Sequence, residues 1–208
     1  MLIDSHCHLA FDCFDSDRGE ILERCHNLNV ELIVIPGTQA SVWHKQISLC
    51  EQYSQLRFAL GLHPYFLDNF SPPQLVELTH LLAEYSDKVL AVGEIGLDSH
   101  IDVDWALQVE VFEHQLAIAK EQNLPVILHH RNSHNELIRI LKNTKFDQGG
   151  IVHGFSGSVQ QAKTYIDLNF KIGIGGGITY ARANKTRNAI SQLPLSCVVL
   201  ETDAPDMP

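Results

Sequence analysis

Short runs rich in β-branched residues alternate along the chain with longer segments in which apolar positions follow the helical period. Eight runs read as strands, over residues 2–8, 31–37, 57–63, 89–94, 125–129, 150–153, 171–176 and 197–203. Seven segments between them read as helices, over 17–27, 39–52, 72–85, 102–122, 133–143, 158–168 and 184–192. This alternation implies a parallel sheet with helices packed outside it, and eight repeats imply a (β/α)8 TIM barrel, α/β in class, spanning residues 1–208 as a single domain. Boundary signals agree with the period. Pro72-Pro73 suits a first helical turn. Ser133, with Glu136 at the capping-box position, and Ser158, before Val159, stand where N-caps are expected. In the segment 102–122, Trp105, Val109, Phe112, Leu116 and Ala119 share one stripe, expected to face the core. Five residues follow Asp203, so the C-terminal helix is expected to be missing and the barrel C-terminally incomplete. The outer faces of the first and last strands are then partly bare, which favours marginal stability or oligomerisation.

Composition narrows the class. Of 208 residues, 45% are hydrophobic and 19% charged, which is ordinary for a globular chain with a sizeable core. The longest apolar runs fall far short of the roughly 20 residues that span a bilayer, and the N-terminus lacks a signal-peptide pattern. The cytoplasm is the expected location, with no membrane association. The five cysteines are scattered, without a Cys-x-x-Cys pair, as suits reduced thiols. A net charge of −10 argues against a broad basic surface for nucleic acid, so a phosphate substrate has to be held locally.

The candidate chemistry begins at Asp4-Ser5-His6-Cys7-His8. Strand alternation sends His6 and His8 to one face, half of a metal site, and Cys7 to the other as a small buried apolar residue. Histidines and acids then recur at strand C-terminal ends: His63, Glu94, His129, His153 and Asp203 join His6 and His8 where barrel enzymes carry their active sites. Imidazoles mixed with carboxylates suit transition-type divalent ions and not calcium. Four histidines and two carboxylates exceed what one tetrahedral ion with an open position needs. They suit two ions, bridged by Glu94 at a separation of roughly 3.5–4 Å. Phosphate donors are expected at Arg131 and in the turn 154–158, including Ser156 and Gly157, which leads into a helix. Arg182, Lys185 and Arg187 read as a solvated helix face. Gly173, Gly175, Gly176 and Gly177 read as a tight turn beside the site, not a nucleotide loop.

The motifs Asp-Ser-His-Cys-His at residues 4–8, Gly61-Leu62-His63-Pro64, Gly93-Glu94-Ile95-Gly96-Leu97-Asp98, Pro125-Val126-Ile127-Leu128-His129 with Arg131, His153-Gly154-Phe155-Ser156-Gly157 and Glu201-Thr202-Asp203-Ala204-Pro205 occur in that order. Together they make the chain resemble, over its whole length, the TatD family of metal-dependent deoxyribonucleases, and within it a bacterial branch. The resemblance implies an amidohydrolase-like barrel holding two divalent metal ions, with Zn, Mn, Mg, Fe and Ni all open. It implies hydrolase activity, for several members that of a deoxyribonuclease or 3′-to-5′ exonuclease, with single-stranded or 3′-terminal DNA as substrate and no obligate protein partner. It assigns His6, His8, Glu94 and Asp203 to one metal and Glu94, His129 and His153 to the other. Asp203 is also placed to orient or deprotonate the attacking water, and His63, outside the ligand set, to donate to a phosphate oxygen or leaving group. Two positions depart from the family pattern: Ser99-His100 follows Asp98 where an aromatic residue is common, and His130 stands where a small residue is usual. Either extra histidine could join the metal site. Two other readings stay open. One is an amidohydrolase of a small amide, ester or lactone, in many of which a carboxylated lysine bridges the metals where this chain has Glu94. The other is a non-catalytic metal-binding protein.

Overall fold

The computed structural model describes residues 1–207. Eight parallel strands neighbour one another in sequence order: β1 (Leu2–Asp4), β2 (Val30–Ile35), β3 (Leu56–Leu60), β4 (Val89–Asp98), β5 (Val126–Arg131), β6 (Gly150–Val152), β7 (Phe170–Ile174) and β8 (Val198–Leu200). The helices α1 (Arg18–Asn27), α2 (Ala40–Gln52), α3 (Pro73–Glu84), α4 (Trp105–Glu121), α5 (His134–Asn143), α6 (Val159–Asp167) and α7 (Asn184–Ile190) connect them. The sheet curls into the expected barrel. Its first and last strands are joined just past their ends, where the Ser5 amide donates to the Leu200 carbonyl (2.9 Å) and the Asp203 amide to the His6 carbonyl (2.8 Å). The buried Asp4 carboxylate completes the seam by accepting from the Thr202 amide (3.0 Å) and hydroxyl (2.6 Å).

Alternation divides the strand side chains between two cores. Val34, Ala59, Ala91 and Ile127, on four neighbouring strands, form a small cluster of their own, the size expected inside a narrow barrel. Their neighbours Ile33, Phe58, Leu60, Val92 and Leu128 join the large core between sheet and helices, with Trp43, Leu78, Phe112 and Tyr165. Four of the helix-to-strand turns place a residue in the left-handed region at Asn29, Asn123, Lys145 and Asn169, three of them the residue type that tolerates it best after glycine. No helix follows β8 among the described residues, and Leu2, Ile3 and Leu200 are about half exposed, as bare outer faces require.

Three details differ from the sequence pattern. The ladder of β1 ends at Asp4, short of residue 8, because from Ser5 onward the amides turn to Leu200, Val34 and Ala204 as separate partners. The inward stripe of α4 is shifted: Phe112, Leu116 and Ala119 are buried, Val109 is half-buried and Trp105 is 39% exposed. Gln108 and Gln115 take the inward positions, two turns apart on one face. Gln115 accepts from the Leu62 amide (2.7 Å) and donates to the Leu62 carbonyl (3.1 Å); Gln108 does the same at Asp98 (2.9 and 3.1 Å). A purely apolar pattern misses this, since the strand ends offer unpaired backbone groups that a buried amide satisfies and a leucine does not. Finally, Ser158 and Gln161 form a capping box, whereas Ser133 does not cap α5 with its side chain. Its hydroxyl donates to the Leu97 carbonyl (2.7 Å), and Glu136 pairs with Arg139.

Candidate metal centre

The barrel's C-terminal rim gathers every residue expected there. A register shift in β4 between Gly93 and Ile95 breaks the alternation, so that Glu94 turns inward while Val92, Ile95 and Leu97 join the outer core. The two oxygens of Glu94 face two sets of side chains. Oε2 lies 3.1 Å from His6 Nε2 and 3.7 Å from His8 Nε2, while Oε1 lies 3.0 Å from His129 Nδ1, 3.4 Å from His153 Nε2 and 3.5 Å from His63 Nε2. Asp203 Oδ1 sits 3.5 Å from His6 Nε2 and 3.4 Å from His8 Nε2. Asp203 is held at a φ of 55°, a left-handed conformation that costs a non-glycine residue about 1–3 kcal/mol and marks a position fixed by its surroundings. Cys7 is buried, on the side away from the two histidines' shared target, with its thiol pushed up to about 12 by burial.

Charge and burial shape the cluster. Burial alone raises a carboxylate, yet His6, His153 and His63 together hold Glu94 well below the usual range. Burial depresses an imidazole; it lowers His6, with His153 adding to it, and with His129 nearby it brings His63 down to about 4. At His153 burial is outweighed by Glu94 and Glu201, which lift it to about 10. At His129 the Asp98 and Glu94 carboxylates likewise outweigh burial and raise it.

Three acids of the motifs carry roles that spacing did not reveal. Asp98 Oδ2 accepts from His129 Nε2 (3.1 Å). Glu201, fully buried, places Oε1 3.4 Å from His153 Nδ1 and accepts from the Gly154 amide. Asp4 closes the barrel seam. Alternation along the chain was the available signal for the first two, since Asp98 follows Glu94, and Glu201 precedes Asp203, by an even number of residues. Gly173 is tied to the same device: a Cβ there would come 2.3 Å from Glu201 Oε2, so the glycine makes room for the acid.

The substrate-side residues line a cavity of about 930 Å³ over the cluster, which Arg131, Ser156, Arg182 and Tyr180 share with His63 and Asp203. In the turn 154–158, the Gly154, Phe155 and Ser158 amides already serve Glu201, Gly173 and Gln161. Among the described residues this leaves the amides of Ser156 and Gly157 for an anion. Of the basic trio after β7, Arg182 and Lys185 are exposed as a solvated face requires, and Arg187 is half-buried. Arg187 is spent on the carbonyls of Ile178, Tyr180 and Ala181, Arg182 lies over the Tyr180 ring (5.1 Å), and Lys185 lines a neighbouring cavity. Neither extra histidine enters the cluster: His100 is exposed, and His130 is buried on the far side of β5 with its ring 3.9 Å from His134.

The donor set fits divalent cations. His6 Nε2 and His8 Nε2 lie only 3.3 Å apart, and Asp203 Oδ1 is near both, so buried lone pairs converge on one point where a cation relieves their repulsion. Groups of donors within 4.8 Å of one another comprise His6, His8 and Asp203; His6, Glu94 and His153; and His63, Glu94 and His129. An eight-stranded parallel barrel with these donors converging on its C-terminal rim is a TIM barrel carrying a candidate divalent-metal centre. The family described as TatD related DNase matches residues 3–208. The chain belongs to the TatD family. It is 46% identical over 207 residues to the Escherichia coli protein named as the uncharacterized metal-dependent hydrolase YjjV, covering 99% of this chain and 80% of that one. It is 35% identical over 207 residues to the uncharacterized metal-dependent hydrolase YabD of Bacillus subtilis, with the same coverage. The crystal structure of the E. coli YjjV protein superposes with a TM-score of 0.96, covering 100% of this chain and 80% of that one.

Proposed function

We propose that this chain is a phosphodiesterase that removes nucleotides from single-stranded or 3′-terminal DNA, using two divalent cations bridged by Glu94. The observation that carries the reading is the division of Glu94, with Oε2 toward His6 and His8 and Oε1 toward His129 and His153. His6, His8, Glu94 and Asp203 would hold the first cation, and Glu94, His129 and His153 the second. When bound, such a pair supplies Lewis-acid stabilisation of a phosphoryl group and a nucleophilic hydroxide at neutral pH. Asp203, kept ionised despite its burial by His8, His153 and His6, takes the proton of the attacking water. His63, whose Nδ1 accepts from the Tyr65 amide (3.0 Å), has Nε2 turned to the cluster, where it donates to a phosphate oxygen or the leaving group. Arg131 and the Ser156 amide, in the wall of the cavity over the cluster, with the Gly157 amide next to them at the edge of the neighbouring cavity, bind the remaining phosphate oxygens and supply the local positive potential that a chain of net charge −10 otherwise lacks. The family description names DNase activity, which favours DNA over a small amide or lactone. The five free cysteines suit the cytoplasm as its place of work.

The test is incubation of the metal-loaded protein with 5′-end-labelled single-stranded DNA beside Glu94→Ala and Asp203→Asn variants. Stepwise shortening by the wild type, reduced at least about 100-fold in both variants, is the expected result. A folded, metal-loaded wild type that leaves the DNA intact with each divalent metal overturns the reading.

A further inference from the structure

Beside the main cavity lies a second one of about 560 Å³, and the two share Arg131 and Ser156 as common wall residues. Its walls differ from those of the catalytic cavity. They carry no member of the donor cluster, and instead present Trp105, Lys185, Arg131, Asn135 and Gln161. Trp105 is the residue that the apolar period places in the core; with Gln108 and Gln115 on the inward face of α4 it is 39% exposed and stands in the wall of this cavity. Lys185 and Arg131 have no carboxylate within 4.0 Å among the described residues, and the acid in the wall, Glu136, is neutralised by Arg139 (2.9 and 2.6 Å). Behind the cavity stands His134, 8% exposed, whose Nδ1 meets the Tyr165 hydroxyl (3.2 Å) while Nε2 has no partner among the described residues. The starts of α5 and α6 meet here, linked by Gln161 donating to Asn135 Oδ1 (3.1 Å). One indole, two unpaired cations, side-chain amides and two helix starts are what a base and its phosphate together require.

We propose that this second cavity binds a nucleotide of the strand whose neighbouring phosphodiester lies over the metal centre. Trp105 stacks on the base, and Lys185 and Arg131 hold the intervening backbone phosphates. The inference rests on the phosphodiesterase reading for the identity of the strand, and it adds where the strand runs. The volume lies within the range of pockets that enclose small-molecule-sized ligands, enough for one nucleotide.

Tryptophan fluorescence reads this site directly. Of the two tryptophans, Trp43 is fully buried with its Nε1 bonded to the Gly61 carbonyl (3.1 Å), so a bound base quenches Trp105 alone. The probe is a hydrolysis-resistant single-stranded phosphorothioate oligodeoxyadenylate added to the metal-loaded protein, with affinity measured in parallel by anisotropy of a labelled copy. Expected are saturable quenching, a roughly 5- to 150-fold weaker Kd in Trp105→Ala, and a salt slope about one unit shallower in Lys185→Ala. Absence of quenching with a Trp105→Ala Kd equal to wild type overturns the proposal, and if unmodified DNA is still shortened the phosphodiesterase reading survives that failure. Equal quenching by inorganic phosphate alone also overturns it, since no base is then involved. Quenching with the expected variant effects but no shortening of unmodified DNA retains the strand-binding cavity and removes the phosphodiesterase reading.

Discussion

Asp98 Oδ2 lies 3.1 Å from Nε2 of His129, on the side of the ring away from Glu94, whose Oε1 meets Nδ1 at 3.0 Å. The imidazole is thereby fixed in one orientation, and the carboxylate holds the proton on Nε2. Nδ1 is left to give its lone pair to a cation beside Glu94. Glu201 stands in the same relation to His153, near Nδ1, with Nε2 toward Glu94. Both histidines assigned to the second cation are thus aimed from behind by an acid.

Asp98→Ala removes this hold on His129, and affinity for the second cation should fall about 10- to 100-fold, read by competition with a chromogenic chelator. Asp98→Asn, which still accepts from Nε2–H, should recover part of the loss. Wild-type affinity in Asp98→Ala contradicts the orienting role.

The division of Glu94 predicts separable cation positions. The His6→Ala/His8→Ala protein should retain one equivalent of metal after dialysis, and so should His129→Ala/His153→Ala, whereas Glu94→Ala should weaken both positions at once. Elemental analysis checks the count. Loss of all metal from His6→Ala/His8→Ala, with its fold intact by circular dichroism, refutes two independently held positions.

Much of this is legible in the sequence. The period-2 and helical patterns located eight strands and seven helices, because burial on both faces of a parallel strand makes its run apolar and β-branched whatever surrounds it. His6, His8, Glu94, His129, His153 and Asp203 were legible because they end such runs. What escaped was whatever depends on a partner distant in sequence. Glu201 and Asp98 share the strand parity of Asp203 and Glu94, but only the histidine that each meets from a nearby strand shows what they do. Gln108 and Gln115 look like solvent residues until the strand ends that they bond are in place. Trp105 looked like core because an exposed indole and a buried one contribute equally to an apolar stripe.

The glutamine clamps should therefore be stabilising in a way that an apolar substitution cannot reproduce. Gln115→Leu leaves the buried Leu62 amide and carbonyl without their partner, and Gln108→Leu does the same to Asp98. Each should lower unfolding stability by about 1–3 kcal/mol in urea titrations. Gln108→Leu should also weaken metal binding more than Gln115→Leu, since it loosens the residue that aims His129. An unchanged urea midpoint in either variant shows that water or the neighbouring backbone satisfies those groups.

His134 supplies a dependence on pH that does not pass through the metal centre. Burial, with the Lys185 ammonium adding to it, depresses this imidazole from an ordinary value of 6.5 to about 4. The groups around it are the His130 ring at 3.9 Å and the Tyr165 hydroxyl at 3.2 Å, and no carboxylate among the described residues offsets the burial. The unfolded chain therefore takes up this proton first as the pH falls. The stability that His134 contributes by staying neutral is fully present above pH 6.5 and is lost progressively between 6.5 and about 4, on the order of 3 kcal/mol in all. His130 is depressed in the same direction by burial and by His134, so the wild-type curve alone does not isolate the effect. The difference between wild type and His134→Gln does. Urea midpoints measured from pH 7.5 to 4.5 in metal-free protein, a range chosen to bracket that window, should give a difference that is constant at the upper end and shifts in favour of the variant toward the lower end. A difference that stays level across the whole range means that His134 is hydrated or mobile in the folded protein and titrates as a surface histidine.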